Sequence, residues 1–99
     1  MTFGNEIILE GMSVTLTCNV MAVPVANFTE VVRLVGGDRI QLVNDTNERM
    51  LTTFTVMYSF TPVFPDDDGA LFQCLSVNDN GVATGNSILT VQGEFYIKI

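Results

Sequence analysis

Along "MSVTLTCNV" the chain alternates without a break: Val14, Leu16, Cys18 and Val20 fall on one side, Ser13, Thr15, Thr17 and Asn19 on the other. A period of two with β-branched residues on both faces predicts a half-buried strand. Pro24 ends it, because proline cannot donate to a central ladder. "FTEVVRLV" resumes the strand pattern, "GGD" reads as a hairpin turn, and "RIQLV" is the returning strand. The polar "NDTNE" is a loop, and "MLTTFTVMYSF" is a long strand-like run stopped by Pro62 and Pro65. "ALFQCLSV" follows. Asn80-Gly81 suits a turn with positive φ, and "VATGNSILTVQ" comes back. No segment carries a helical period, and no repeat or low-complexity linker interrupts the series. The predicted class is all-β, with turn signals spaced as in a sandwich.

With 99 residues the chain suits one domain over 1–99, large enough for a single core and too small for two. The 47 % hydrophobic and 15 % charged content marks a folding sequence. A net charge of −7, with only Arg33, Arg39, Arg49 and Lys98 as scattered cations, argues against nucleic acid and anionic membrane surfaces as partners. No apolar run is long enough to span a bilayer, so direct membrane insertion by this domain is not expected. Met1 leads almost at once into strand-like sequence with no leader visible, which reads as one piece of a larger precursor. The tail 93–99, "GEFYIKI", reads as a terminal strand extension or a linker with an association-prone edge. Histidine is absent, which removes histidine triads, histidine general bases and most zinc sites.

The stretch "PDDDGALFQC" admits three readings: a metal-binding acidic loop, a helix start, or a sheet corner leading to a cysteine. Asp66, Asp67 and Asp68 lack the spread of acids and the closing glutamate of a helix–loop–helix calcium site. Paired acids such as Glu30 and Asp38 sit in no recognisable pocket pattern, and an enzyme is not expected. "VGGD" is too short to cradle phosphate. Two sequons, Asn27-Phe28-Thr29 and Asn44-Asp45-Thr46, fall in expected loops and are glycosylation acceptors if the chain is secreted, where glycans would mask part of the surface and confine the usable interface. Beside an even cysteine count they favour an oxidising, extracellular compartment.

An inward cysteine on an alternating strand, then a strand hairpin, then Asp68, Ala70, Phe72 and Cys74 in the spacing Asp-x-Ala-x-aromatic-x-Cys resembles an immunoglobulin superfamily domain over about residues 5–92. The resemblance implies a Greek-key sandwich of two antiparallel sheets with a Cys18–Cys74 disulfide between them, 56 positions apart. It implies that Asp68 pairs with an arginine, Arg49 or Arg33, and that the acidic run is a corner. It implies no cofactor. Two residues depart from the pattern. Val31 stands where the family has its tryptophan, thirteen positions after Cys18 and two before Arg33, and Phe72 replaces the corner tyrosine. Phe28, Phe54, Tyr58, Phe60 and Phe64 are available to fill the missing volume. The cysteine spacing suits the intermediate or constant-like sets, with a C′ strand and a minimal strand D.

If Ala70, Phe72 and Cys74 point inward, then Leu71, Gln73, Leu75 and Val77 point outward, and Val32 and Leu34 join them from the neighbouring strand. This outer G-F-C-C′ face, with its apolar content, is the expected protein interface. The hairpin tip "NDNGVATG" is a second candidate. The expected role is a recognition or adhesion module of a cell-surface receptor, on the extracellular side of the plasma membrane or secreted. Its partner is a protein, with its own copy on another cell as one option through weak homo-oligomeric contact. The alternative is a structural spacer in a tandem array. The absent tryptophan and Met-rich composition resemble divergent invertebrate members such as hydroid allorecognition receptors.

Overall fold

The computed structural model describes residues 1–45 and 52–93, with the side chain of Asp45 left out. Eight strands run in chain order: β1 Thr2–Phe3, β2 Glu6–Leu9, β3 Val14–Met21, β4 Phe28–Val35, β5 Asp38–Asp45, β6 Thr53–Phe60, β7 Ala70–Asn78 and β8 Gly81–Gln92. They form a three-stranded sheet, β1-β3-β6, packed on a five-stranded sheet, β2-β8-β7-β4-β5. All pairings are antiparallel except β2 with β8, which run parallel. The first strand therefore splits, contributing β1 to one sheet and β2 to the other. Among the described residues no strand D appears between β5 and β6.

The alternation of β3 is realised as read. Val14, Leu16, Cys18 and Val20 are buried, and Ser13, Thr15 and Asn19 line the outer surface. There Thr15 pairs with Ser59 at 2.7 Å and Ser13 with Thr61 at 3.0 Å, a hydroxyl ladder along one face. From the other sheet Val31, Phe72, Cys74, Leu89 and Val91 complete the core. The packing begins before residue 5: Phe3 is in register with Cys18 and is buried.

Cys18 and Cys74 form the inter-sheet disulfide, with Cα atoms 6.4 Å apart and both residues fully buried. Val31 is in register with Cys74 and fully buried beside it. Aromatic volume in the core comes from buried Phe3 and Phe72 and from Phe54, Tyr58 and Phe60 packed against it. Phe60 stacks at 5.6 Å on Tyr58 and at 5.8 Å on Phe72. Phe28 and Phe64 do not contribute: Phe28 lies on the outer face and Phe64 is 42 % exposed.

The β4–β5 hairpin turns on Gly36 and Gly37, both at positive φ, which is why two glycines stand there. At the β7–β8 hairpin the loop is Asp79-Asn80, and the positive φ falls on Gly81 alone. Asn78 Oδ1 accepts from the N–H groups of Asn80 and Gly81 and holds the turn.

Candidate protein interface

The acidic run is a corner in which the three carboxylates have separate fates. Arg33, on β4, donates from Nη1 to Asp67 Oδ1 at 2.6 Å, and the Val63 N–H donates to Asp67 Oδ2 at 2.7 Å. Asp68 is not the partner of Arg33, contrary to the expectation from the motif. Its Oδ1 accepts the Val91 N–H at 3.0 Å and ties the corner to β8. The reason is local. The Asp67 N–H donates to Val63 O, which curls the chain so that the side chain of Asp67 turns in toward Arg33 while that of Asp68 meets β8. Arg49, the other expected partner, lies outside the described residues. Burial works to raise the Asp67 pKa, but the Val63 amide together with the hydrogen bond and charge of Arg33 outweigh it, and the carboxyl is held below its ordinary value. The Arg33 guanidinium also lies over the Phe72 ring, 5.8 Å from its centroid, where the family's tyrosine would stand.

With the corner closed in this way, the register of β7 sets the opposite surface. Leu71 is opposite Leu34 and Ile88, Gln73 opposite Val32 and Asn86, Leu75 opposite Glu30 and Thr84, and Val77 opposite Phe28 and Val82. All six residues expected on the outer face share it. Their exposure differs from the expectation. Leu34, Leu71, Gln73, Leu75 and Val77 are half-buried, and Val32 is only 2 % exposed. Val32 is flanked in register by Gln73 and Gln41, long side chains that stand on either side of a short one. It is part of the floor of this face and is not a contact residue.

Glu30 organises the middle of the face. Arg39 Nη2 donates to one of its oxygens at 2.9 Å and Gln41 Nε2 to the other at 2.9 Å. The pair is charge-balanced, and Glu30 is largely shielded. A bulge at Val31/Val32 lets β5 turn both Leu42 and Val43 toward the core while Arg39 and Gln41 remain outside.

The best exposed apolar residues here were not singled out in the sequence. Ile88 is 48 % exposed in the row of Leu71 and Leu34, and Ile7 (69 %) and Leu9 (48 %) extend the face across β2. "SILTV" alternates, so the outward side of β8 was legible. That β2 crosses to pair with β8 was not, because nothing local to residues 6–9 selects one sheet over the other.

Asn44 lies in β5, opposite Glu30, and not in a loop as expected; Asn27 immediately precedes β4 and is exposed. The hairpin tip borders a cleft of about 270 Å³ lined by Val20–Val23, Ser76, Asn78 and Asn80–Ala83. Among the described residues no group of three or more His, Cys, Asp or Glu is placed to hold a metal ion.

No protein-family model matches this sequence, and no curated protein sequence matches it. Solved structures do. The titin M10–obscurin-like 1 Ig complex matches with a TM-score of 0.61 and 20 % identity, over 95 % of this chain and 91 % of that one. The second Ig domain of mouse polymeric immunoglobulin receptor matches with a TM-score of 0.66 and 13 % identity, over 93 % and 99 %. A chicken TCR matches with a TM-score of 0.68 and 15 % identity, over 98 % of this chain and 57 % of that one. Two packed sheets, a disulfide between them and these likenesses show that the chain has the immunoglobulin fold.

Proposed function

We propose that this domain is an extracellular recognition module that binds protein through the outer face of β2-β8-β7-β4-β5, with a second copy of itself as partner. The observation that carries the reading is the contrast between this face and the rest of the molecule. The chain has a net charge of −7, yet the only described charges on this face are Glu30 and Arg39, which neutralise each other. The other described acids lie off the outward rows, at Glu6 and Glu10 on and after β2, the Asp38 hairpin, the Asp66–Asp68 corner and the Asp79 turn. Two copies apposed by this face meet with apolar rows and balanced charge, and keep their self-repelling acids at the periphery. The outer surface of β3 and β6 differs in kind: the hydroxyl pairs Ser13–Thr61 and Thr15–Ser59 run along it, with Met21 and Met57 as its exposed apolar side chains. The disulfide and the two sequons support an oxidising compartment, on a receptor ectodomain or a secreted protein.

The test is sedimentation of the disulfide-bonded domain at rising concentration and physiological salt. Self-association that Leu71→Asp abolishes supports the reading. A monomer at millimolar concentration overturns it. The second reading, a structural spacer in a tandem array without a ligand of its own, requires that monomer. The hydroid allorecognition likeness rests on composition and the absent tryptophan, and adds nothing to the argument for this face.

A further inference from the structure

The two sequons, separated by seventeen positions in the chain, meet at one end of the outer face. Asn27 adjoins Phe28, whose row continues through Val77 to Val82, and its side chain donates to Asp79 Oδ1 at 2.9 Å in the β7–β8 turn. Asn44 stands one row further in, exposed and opposite Glu30. The row of Leu34, Leu71 and Ile88 lies at the other end, four residues along β4 from Glu30, or about 13 Å at ordinary strand rise. No Asn-x-Ser/Thr occurs at that end.

We propose that Asn27 and Asn44 carry N-linked glycans that fence the Phe28–Val77–Val82 end of the face, confining protein contact to the Leu34–Leu71–Ile88 end with Ile7 beside it. The inference rests on the reading of this face as an interface, and adds which part of it is usable and what restricts it. The modification transfers an oligosaccharide from a lipid diphosphate donor. The anomeric carbon leaves the diphosphate oxygen and bonds to asparagine Nδ2, one amide proton is lost, and the lipid diphosphate departs. A modified Asn27 retains one N–H, enough for its bond to Asp79. The hydroxyl of Thr29 is buried against Ser76 Oγ at 2.9 Å, so Asn27 is modified before the chain folds. Val82, 62 % exposed at the fenced end, is then covered by sugar.

The experiment secretes the domain from a glycosylating eukaryotic cell and compares intact mass before and after peptide N-glycosidase, with Asn27→Gln and Asn44→Gln assigning each site. Sedimentation follows on the native glycoform, the sugar-free Asn27→Gln/Asn44→Gln form, a Thr90→Asn/Gln92→Thr variant that places a new sequon on β8 beside Ile88, and a Thr90→Asn control that lacks the sequon. Two glycans, association retained in the native glycoform, and at least a tenfold loss in the added-sequon variant but not in the Thr90→Asn control support the proposal. Unmodified asparagines overturn it outright. Association that appears only in the Asn27→Gln/Asn44→Gln form also overturns it, since contact then needs the fenced end. Absence of association in every form removes the interface reading, and the confinement with it, while the glycan masses stand.

Discussion

Arg33 is held between Asp67 and Phe72: its Nη1 is 2.6 Å from the carboxylate and its Cζ is 5.8 Å from the ring centroid. This arrangement closes the lower end of the core with one cation shared by two elements, the β6–β7 corner and β7 itself. The family pattern expects the third acid of the run to take that role. Here the second acid takes it, and the third secures β8.

The stability of the domain should therefore respond to acid through Asp67. Its carboxyl is held below the ordinary value near 3.9, so the folded state binds its proton less readily than the unfolded chain does. The resulting stabilisation is complete above about pH 5 and is lost as pH falls through the folded value. Asp67→Asn should cost about 1–3 kcal/mol at neutral pH. Urea unfolding as a function of pH should show the gap between the two proteins closing toward acid. A constant gap would mean that the charge on Asp67 plays no part.

The three acids should differ sharply when neutralised one at a time. Asp68→Ala leaves the Val91 N–H without its acceptor and should cost about 1 kcal/mol. Asp66 is exposed, and it is its backbone carbonyl that meets Arg33, so Asp66→Asn should stay within about 0.5 kcal/mol of the parent. Chemical unfolding at pH 7 gives the order Asp67, Asp68, Asp66, and equal costs at all three positions would contradict the corner described here.

Removing the disulfide by Cys18→Ala/Cys74→Ala should cost about 4 kcal/mol in the chain-entropy picture, given its sequence separation of 56. That is a large part of the stability of a domain this size, typically about 5–15 kcal/mol. The thermal midpoint of the double variant should fall by tens of degrees. A fall of only a few degrees would show that the aromatic packing holds the sheets together unaided.

A tryptophan at position 31, where the immunoglobulin pattern has one, should destabilise this protein. Val31 is fully buried in register with the disulfide-bonded Cys74, inside a core already filled by other side chains. Val31→Trp should cost about 1–3 kcal/mol by overpacking. A higher melting temperature would reveal unfilled space beside the disulfide.

The two outer surfaces should behave oppositely under the same substitution. Ile88→Asp, on the five-stranded sheet, should abolish self-association, and Met57→Asp, 61 % exposed on the hydroxyl-lined sheet, should leave it intact. Both side chains are substantially exposed, so circular dichroism should show both variants folded. Equal loss of association would place contact on neither face in particular.

Much of the fold was legible because strand alternation is a local property. Ser13–Val20 and Ala70–Val77 display it directly, and with the cysteines on the buried parity the inside and outside of β3 and β7 follow. The outer-face assignment of Leu34, Leu71, Gln73, Leu75 and Val77 rests on that same parity. The exposure of Val32 could not be read in this way. Parity says which side a residue takes, whereas exposure depends on how tall its neighbours Gln41 and Gln73 are: Gln41 is set by the register of the β4–β5 hairpin with its bulge, and Gln73 comes from a distant part of the chain.

What the amino-acid order determined by itself is whatever one strand and its adjoining turn can encode: the β class, the turn positions at Gly36-Gly37 and Asn78–Gly81, and the side of the sheet each residue takes. Only the tertiary structure decided which acid meets Arg33, and that β2 runs parallel to β8 and carries Ile7 onto the outer face. Each of these depends on the register between segments far apart in sequence. Hydrophobic alternation repeats every second residue, and it is equally satisfied by pairings that place those side chains in quite different company.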